Sequence, residues 1–186
     1  LATGKIVGTV SGLNSQKPYG QDVVTRIGYT IDNPSGTEEL QRRITGQINT
    51  LIEQVTAKHG VTPDAVYSMV LAGNTTMMHL IAGLPTRNLA ASPFIPVAKR
   101  GMSYWAGDFD FRLNSSAKVY LLPSISAYVG ADIVADILSS GLHKDRATAL
   151  LIDVGTNGEI VLGSSDGILC CSTAAAAEVP AGIFFT

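Results

Sequence analysis

The stretch Ala149-Leu150-Leu151-Ile152-Asp153-Val154-Gly155-Thr156-Asn157-Gly158-Glu159-Ile160-Val161-Leu162-Gly163 constrains this chain more than any other. The apolar run 149–152 reads as a buried strand. It ends at Asp153, passes through Gly155, Thr156, Asn157 and Gly158, and re-enters an apolar run at 160–162. That pattern is a hairpin whose tip offers backbone N–H groups, short polar side chains and a carboxylate. Glycine lets such a tip approach an anion closely. A carboxylate at the strand end can hold a metal through water, as phosphate sites require. The same residues also satisfy an ordinary Asn-Gly hairpin turn. Both readings stand on these residues alone.

The chain around this hairpin alternates strands and helices. Residues 5–11 alternate small polar and apolar side chains and predict a strand. Residues 21–30 have a helical pattern with Val23, Val24 and Ile27 on one side, broken at Asn33-Pro34. A longer helix is predicted from an N-cap at Thr37, with Leu40, Ile44, Ile48, Leu51 and Val55 at helical spacing, ending at Gly60. A buried strand over 65–72 runs into Gly73-Asn74-Thr75-Thr76 and a helix over 77–82. The proline-punctuated stretch 83–116 reads as a long excursion. A strand over 118–122 is followed by a helix from Ser126 that stops at Gly141, and a strand over 168–172 follows the hairpin. The fold class is therefore α/β: a mixed sheet with helices on both faces. In such sheets ligands sit at strand carboxyl ends, where helix N-termini present unpaired N–H groups. Gly73, Asn74 and Thr75 join the hairpin tip as candidate cofactor-binding residues on that argument, although Asn74 and Thr75 also serve simply as a helix cap.

Composition removes several function classes. With 13 basic and 15 acidic residues the net charge is −2, which gives no footprint for nucleic acid. No apolar run approaches the roughly 18 residues of a membrane span, so no membrane partner is expected. Cys170 and Cys171 are adjacent on a strand, point to opposite faces and cannot readily share a metal. They read as packing residues of a reducing compartment, hence a cytoplasmic location. His59, His79 and His143 lack ligand spacing. The opening Leu1-Ala2-Thr3-Gly4-Lys5 reads as mid-turn, which predicts a segment of a larger protein.

In series, Pro123-Ser124-Ile125-Ser126-Ala127-Tyr128-Val129-Gly130-Ala131-Asp132 and the 151–159 hairpin resemble the first connecting motif and second phosphate motif of the acetate-kinase, sugar-kinase, heat-shock-chaperone and actin ATPase superfamily. Pro18-Tyr19-Gly20-Gln21-Asp22-Val23-Val24-Thr25-Arg26, Ala72-Gly73-Asn74-Thr75-Thr76-Met77-Met78-His79 and Cys171-Ser172-Thr173-Ala174 resemble, within it, the ATPase domain of reductive activators of corrinoid proteins. The resemblance implies a ribonuclease-H-like, actin-like lobe. It implies ATP and Mg2+ as ligands of the parent protein, with Asp153 toward the metal and Glu159 as the catalytic carboxylate. It also implies a corrinoid protein as partner and a two-iron ferredoxin cluster in a separate domain. A sugar- or acetate-kinase-like phosphotransferase lobe and a non-catalytic docking module are the alternatives.

The division expected is 1–146, a first ATPase lobe lacking its first strand, and 147–186, the opening β-meander of the second lobe. Without its first strand the first sheet would expose an edge. Docking of the meander along residues 6–10, within the chain or by exchange in a homodimer, would cover it.

Overall fold

In the computed structural model the described residues are 4–155, 157–174 and 183–185; Thr156 lies outside them. Five helices are present among them: α1 (Val23–Asp32), α2 (Gly36–Lys58), α3 (Thr75–Ile81), α4 (Arg87–Ala90) and α5 (Ala131–Ser140). Strands β1 (Ser68–Leu71), β2 (Met102–Trp105) and β3 (Lys118–Leu121) form one sheet in the order β1-β3-β2. β1 runs parallel to β3 and β2 antiparallel to it, so the sheet is mixed. Strands β4 (Ala149–Val154), β5 (Asn157–Ser164), β6 (Gly167–Ala174) and β7 (Ile183–Phe185) form a second, antiparallel sheet in the order β6-β5-β4-β7.

Local chemistry sets the helix starts. Asp22 caps α1 by accepting from the Thr25 amide at 2.8 Å, while the Thr25 hydroxyl reaches back to the Asp22 amide. This reciprocal pair satisfies two otherwise orphaned donors. α2 begins one residue before Thr37, so Thr37 lies inside the helix and Ser35 is the N-cap. Asn74 caps α3 by accepting from Met77 at 2.9 Å, which draws Thr75 and Thr76 into the helix. The helix predicted from Ser126 begins five residues later. The Ser126 hydroxyl instead accepts from the Tyr128 and Val129 amides, and this local bonding holds the segment as a turn. Gly141, at φ +75°, ends α5 in the left-handed region as a C-terminal glycine should.

The first core lies between the β1-β3-β2 sheet and helices α2 and α3. Val119 and Leu121 of β3 are fully buried there with Met78, Phe109 and Phe111, and Ile44, Ile48 and Ile52 of α2 close over them. Buried Asn49 of α2 clamps the neighbouring loop, donating to the Asp110 carbonyl and accepting from the Arg112 amide, both at 2.9 Å. On the other face of this sheet Val70, Trp105 and Tyr120 are exposed. The second core lies between α5 and the antiparallel sheet, built on Ile133, Ile137, Leu151 and Val161. Among the described residues no helix is long and apolar enough to cross a membrane.

One expectation is overturned within the chain. Residues 5–11 form no strand, and residues 6–10 join no ladder with the meander among the described residues. Ile6 and Val7 are 78% and 67% exposed. A strand exists only with a ladder partner, and the outer edge of β4 is taken by β7 instead, with Leu151 opposite Phe185 and Asp153 opposite Ile183.

His79 is a satisfied core histidine. Its Nδ1 donates to the Thr75 carbonyl at 2.8 Å, and Nε2 accepts from the Val97 amide at 3.1 Å. Burial pushes its pKa below 6.5, so the neutral ring is the folded form.

The cores are joined where α3 and α5 begin. The Gly73 carbonyl accepts from the Ala131 and Asp132 amides at 2.9 and 3.2 Å. The buried Thr75 hydroxyl donates to the Ser126 carbonyl at 2.6 Å. A Cβ at Gly130 would lie 2.6 Å from the Asn74 Cα and 2.7 Å from the Thr75 amide nitrogen. Both are backbone atoms with nowhere to go. Gly130→Ala is therefore expected to destabilise the fold by about 1–3 kcal/mol, the range for overpacking. Urea unfolding checks this; a variant within 0.5 kcal/mol or so of the parent, the spread of neutral surface changes, would contradict the packing argument.

Candidate functional site

The site is built on a row of cross-strand neighbours. Asp153 on β4 stands directly opposite Glu159 on β5, and Glu159 stands opposite Ser172 on β6. The Ser172 hydroxyl donates to Glu159 Oε1 at 2.9 Å. Side chains two apart along a strand share a face, so this polar row continues the face whose other end, Leu151, Val161 and Cys170, packs under α5. The sheet is thus apolar beneath the helix and acidic at its open end. Two like charges directly opposite on adjacent strands repel. Their juxtaposition is a local cost that a bound cation would remove.

α5 supplies two more carboxylates. Asp132, in its first turn, accepts from the Ile133 amide at 3.0 Å. Asp136 lies one turn on, so both share a face of the helix. Burial pushes the Asp132 and Asp136 carboxyls above the ordinary 3.8, and Asp153 adds to both. Burial likewise raises Glu159 above 4.5; the Ser172 hydroxyl opposes this, and the charges of Asp132 and Asp153 reinforce it. The ion pairs among the described residues, Arg43–Glu39 and Arg112–Glu53, are elsewhere.

Asp132, Asp153, Glu159 and Ser172 line an open cleft of 590 Å3 with Asp22, Arg26, Asn74, Tyr128, Gly155 and Asn157, and Asp136 stands outside that lining. A smaller apolar recess, bounded by Ile27, Leu89 and Ala127, opens beside it. Of the predicted residues, the cleft brings together Asp153, Gly155, Asn157, Glu159 and Asn74. Gly73, Thr75 and Gly158 are not in its lining, and Thr156 lies outside the described residues. The Gly73 carbonyl and Thr75 hydroxyl are used in the α3–α5 junction. Gly158 is a ladder residue paired with Val154 and Thr173. Asn157 and Gly158 are therefore strand residues rather than an Asn-Gly turn, and the Gly155 amide is spent on the Asn157 carbonyl at 2.8 Å.

Asp132, Asp136, Tyr128 and Arg26 escaped the sequence reading. The four-residue spacing of Asp132 and Asp136 on a helix that starts beside the phosphate motif is the signal that could have found the acids. Asp22 and Arg26, at the same spacing, make no ion pair within 4 Å; Asp22 caps the helix instead.

Among the described residues no group of three or more His, Cys, Asp or Glu is placed to cage a metal ion. The donors that are present, Asp153 with neighbouring carboxylates and a hydroxyl, fit a hard cation that keeps most of its water and shares one or two carboxylates with phosphate.

A mixed sheet under helices, joined to an antiparallel meander, has the architecture of the actin-like ATPase fold class. Within that class the chain belongs to the RACo family. The RACo middle region matches residues 1–145, and the C-terminal domain of RACo, the ASKHA domain, matches residues 147–179. The corrinoid activation enzyme RamQ of Eubacterium limosum is 33% identical over 174 residues, covering 94% of this chain and 29% of RamQ. A solved structure, a reductive activator for corrinoid, iron–sulfur protein, aligns with TM-score 0.90 and 37% identity over 94% of this chain and 28% of that one. The chain therefore spans less than a third of the length of these relatives.

The acidic cluster has a pH signature. Folded pKa values above the free values mean that the protonated carboxyls favour the fold. That contribution is present below the ordinary 3.8 and 4.5 and is lost as pH rises through the raised folded values. His79 acts oppositely, its contribution holding above 6.5 and fading as pH falls. Asp132→Asn should therefore raise the unfolding midpoint at neutral pH relative to the parent, with the gain shrinking toward pH 4 or so. His79 cancels in that comparison. Denaturant midpoints at matched pH test it, and a gain that is the same at every pH would sink the electrostatic account.

Proposed function

We propose that this chain is the phosphate-facing part of the nucleotide cleft in an ATP-dependent reductive activator of corrinoid proteins. The observation that carries the reading is the row Asp153–Glu159–Ser172 with Asp132, an acidic cleft wall whose carboxylates have no basic partner within 4 Å among the described residues. Membership of the RACo family and the names of the relatives supply the reaction class. In this reading residues 1–146 are the first lobe without its first strand, and 147–186 are the opening meander of the second. The protein works in the cytoplasm on a corrinoid protein, and a two-iron ferredoxin cluster in a separate domain supplies the electron for cobalt(II).

The residues divide the work. Asp153 is the residue that would hold Mg2+, which when bound would supply charge neutralisation for the phosphates. Asn157, at the start of β5, lines the cleft and would contact the phosphates there. Glu159, oriented by the Ser172 hydroxyl and raised in pKa by burial, is the group placed to take a proton from an attacking water. Hydrolysis is then a means of coupling. Closing the cleft on nucleotide stabilises one arrangement of the lobes, and the differential affinity of the corrinoid protein for the two arrangements supplies the driving free energy.

Two measurements test this. In the full-length protein, Glu159→Gln should lower kcat for ATP hydrolysis by about 100-fold or more with little change in KM, the pattern of a lost proton acceptor. A kcat within about threefold of the parent, less than acid–base catalysis contributes, would remove Glu159 from that role. The 186-residue chain alone, carrying one phosphate hairpin, should bind ATP no more tightly than about millimolar, worth roughly 4 kcal/mol. Micromolar binding by calorimetry would show that this part holds the nucleotide without the rest.

A further inference from the structure

The cleft has one cation in its wall among the described residues, Arg26 of α1, and the reading above gives it no part. It is 7% exposed, a depth at which arginine normally has a carboxylate partner. Among the described residues none lies within 4 Å. The guanidinium is held by neutral groups: Nε donates to the Gly20 carbonyl at 3.1 Å, and Nη1 lies 3.2 Å from Met77 Sδ. The nearest acid in sequence, Asp22, has its carboxylate committed to the Thr25 amide and hydroxyl at 2.8 Å. Among the described residues no hydrogen bond is made by Nη2, and Arg26 is not one of the sealed-in unsatisfied side chains, which are Gln16 and Thr45. Arg26 lines the cleft.

The fold maintains this placement. A Cβ at Gly20 would lie 2.6 Å from the Arg26 amide nitrogen and 2.7 Å from Thr25 Oγ1. Only glycine lets the loop fold under the first turn of α1 and present its carbonyl to Nε. The side chain is thus oriented before any ligand arrives.

We propose that Arg26 is the anion anchor of the cleft, its Nη2 edge binding a phosphoryl oxygen of the polyphosphate. This rests on the nucleotide reading and deepens it. The cleft then has two complementary walls. The acidic wall of Asp132, Asp153 and Glu159 attracts metal and repels bare phosphate; Arg26 attracts phosphate and repels bare metal. A metal–polyphosphate complex satisfies both. Arginine suits the task because it stays charged and offers a planar pair of donors to phosphate oxygens.

The test is run in the full-length protein with Mg2+-tripolyphosphate as probe and Mn2+ alone as control. Arg26→Met should weaken tripolyphosphate binding by about ten- to a hundredfold, the effect of losing a hydrogen bond to a charged group, and leave Mn2+ binding unchanged. Arg26→Lys, keeping charge without the fork, should fall between. Circular dichroism and melting confirm that each variant folds. A measurement on the unaltered protein needs no variant: phenylglyoxal labelling of Arg26, read by mass spectrometry, should be blocked by Mg2+-tripolyphosphate and not by Mg2+. A folded Arg26→Met that binds within twofold of the parent, or labelling that tripolyphosphate does not block, overturns the assignment of Arg26 alone. An unaltered protein that binds neither tripolyphosphate nor ATP overturns the nucleotide reading, and this one with it.

Discussion

The structure depends on the junction of two helix starts. Each leaves backbone amides without intrahelical partners. At α5 the Gly73 carbonyl takes two of them, and at α3 the Asn74 side chain takes one. Thr75 then ties α3 to the turn before α5. α5 contributes Ala131 to the first core and Ile133 and Ile137 to the second, so this junction fixes one sheet relative to the other. It also fixes where Asp132 stands. The absence of a side chain at Gly130 is what allows the two backbones to meet.

Electrostatics at the cleft are arranged against the stability of the empty fold. Asp153 and Glu159 are directly opposite across a ladder, and Asp132 and Asp136 face them from α5 with raised pKa values. A fold selected for stability alone would interleave basic residues here. The apolar half of the same sheet face, sealed beneath Ile133 and Ile137, holds the strands in register despite the repulsion. The Arg26 guanidinium in the same cleft lining, without an acid partner within 4 Å among the described residues, repeats the pattern with opposite sign. Charges left uncompensated at one cleft, and compensated by ion pairs on the surface elsewhere, are a common mark of a ligand site.

Local rules explain what could be read from the chain. The helix at 21–30 was legible because Asp22 and Thr25 form a reciprocal cap and Asn33-Pro34 ends it. The meander at 149–172 was legible because apolar runs alternate with turn residues at strand period. Cys170 half-buried and Cys171 exposed follow from that same period. The reading failed where a side chain or strand had two uses. Ser126 was read as a helix start, and its hydroxyl instead closes a turn. Residues 5–11 have strand alternation, and no ladder partner meets them among the described residues.

By itself, then, the sequence determined the helices near 21–30 and 37–60 and the 149–163 hairpin carrying acids at 153 and 159, because these follow from periodicity, turn chemistry and short-range caps. Tertiary structure decided that Asp132 joins Asp153 and Glu159 in one cleft, that Gly73 and Thr75 serve the helix junction rather than line that cleft, and that Arg26 faces it without a carboxylate. Those facts depend on contacts between residues 20 to well over 50 positions apart, such as Arg26 with Met77 and Thr75 with Ser126. A backbone amide or guanidinium takes whichever acceptor the packing brings within 3 Å or so, and no local pattern encodes which one that will be.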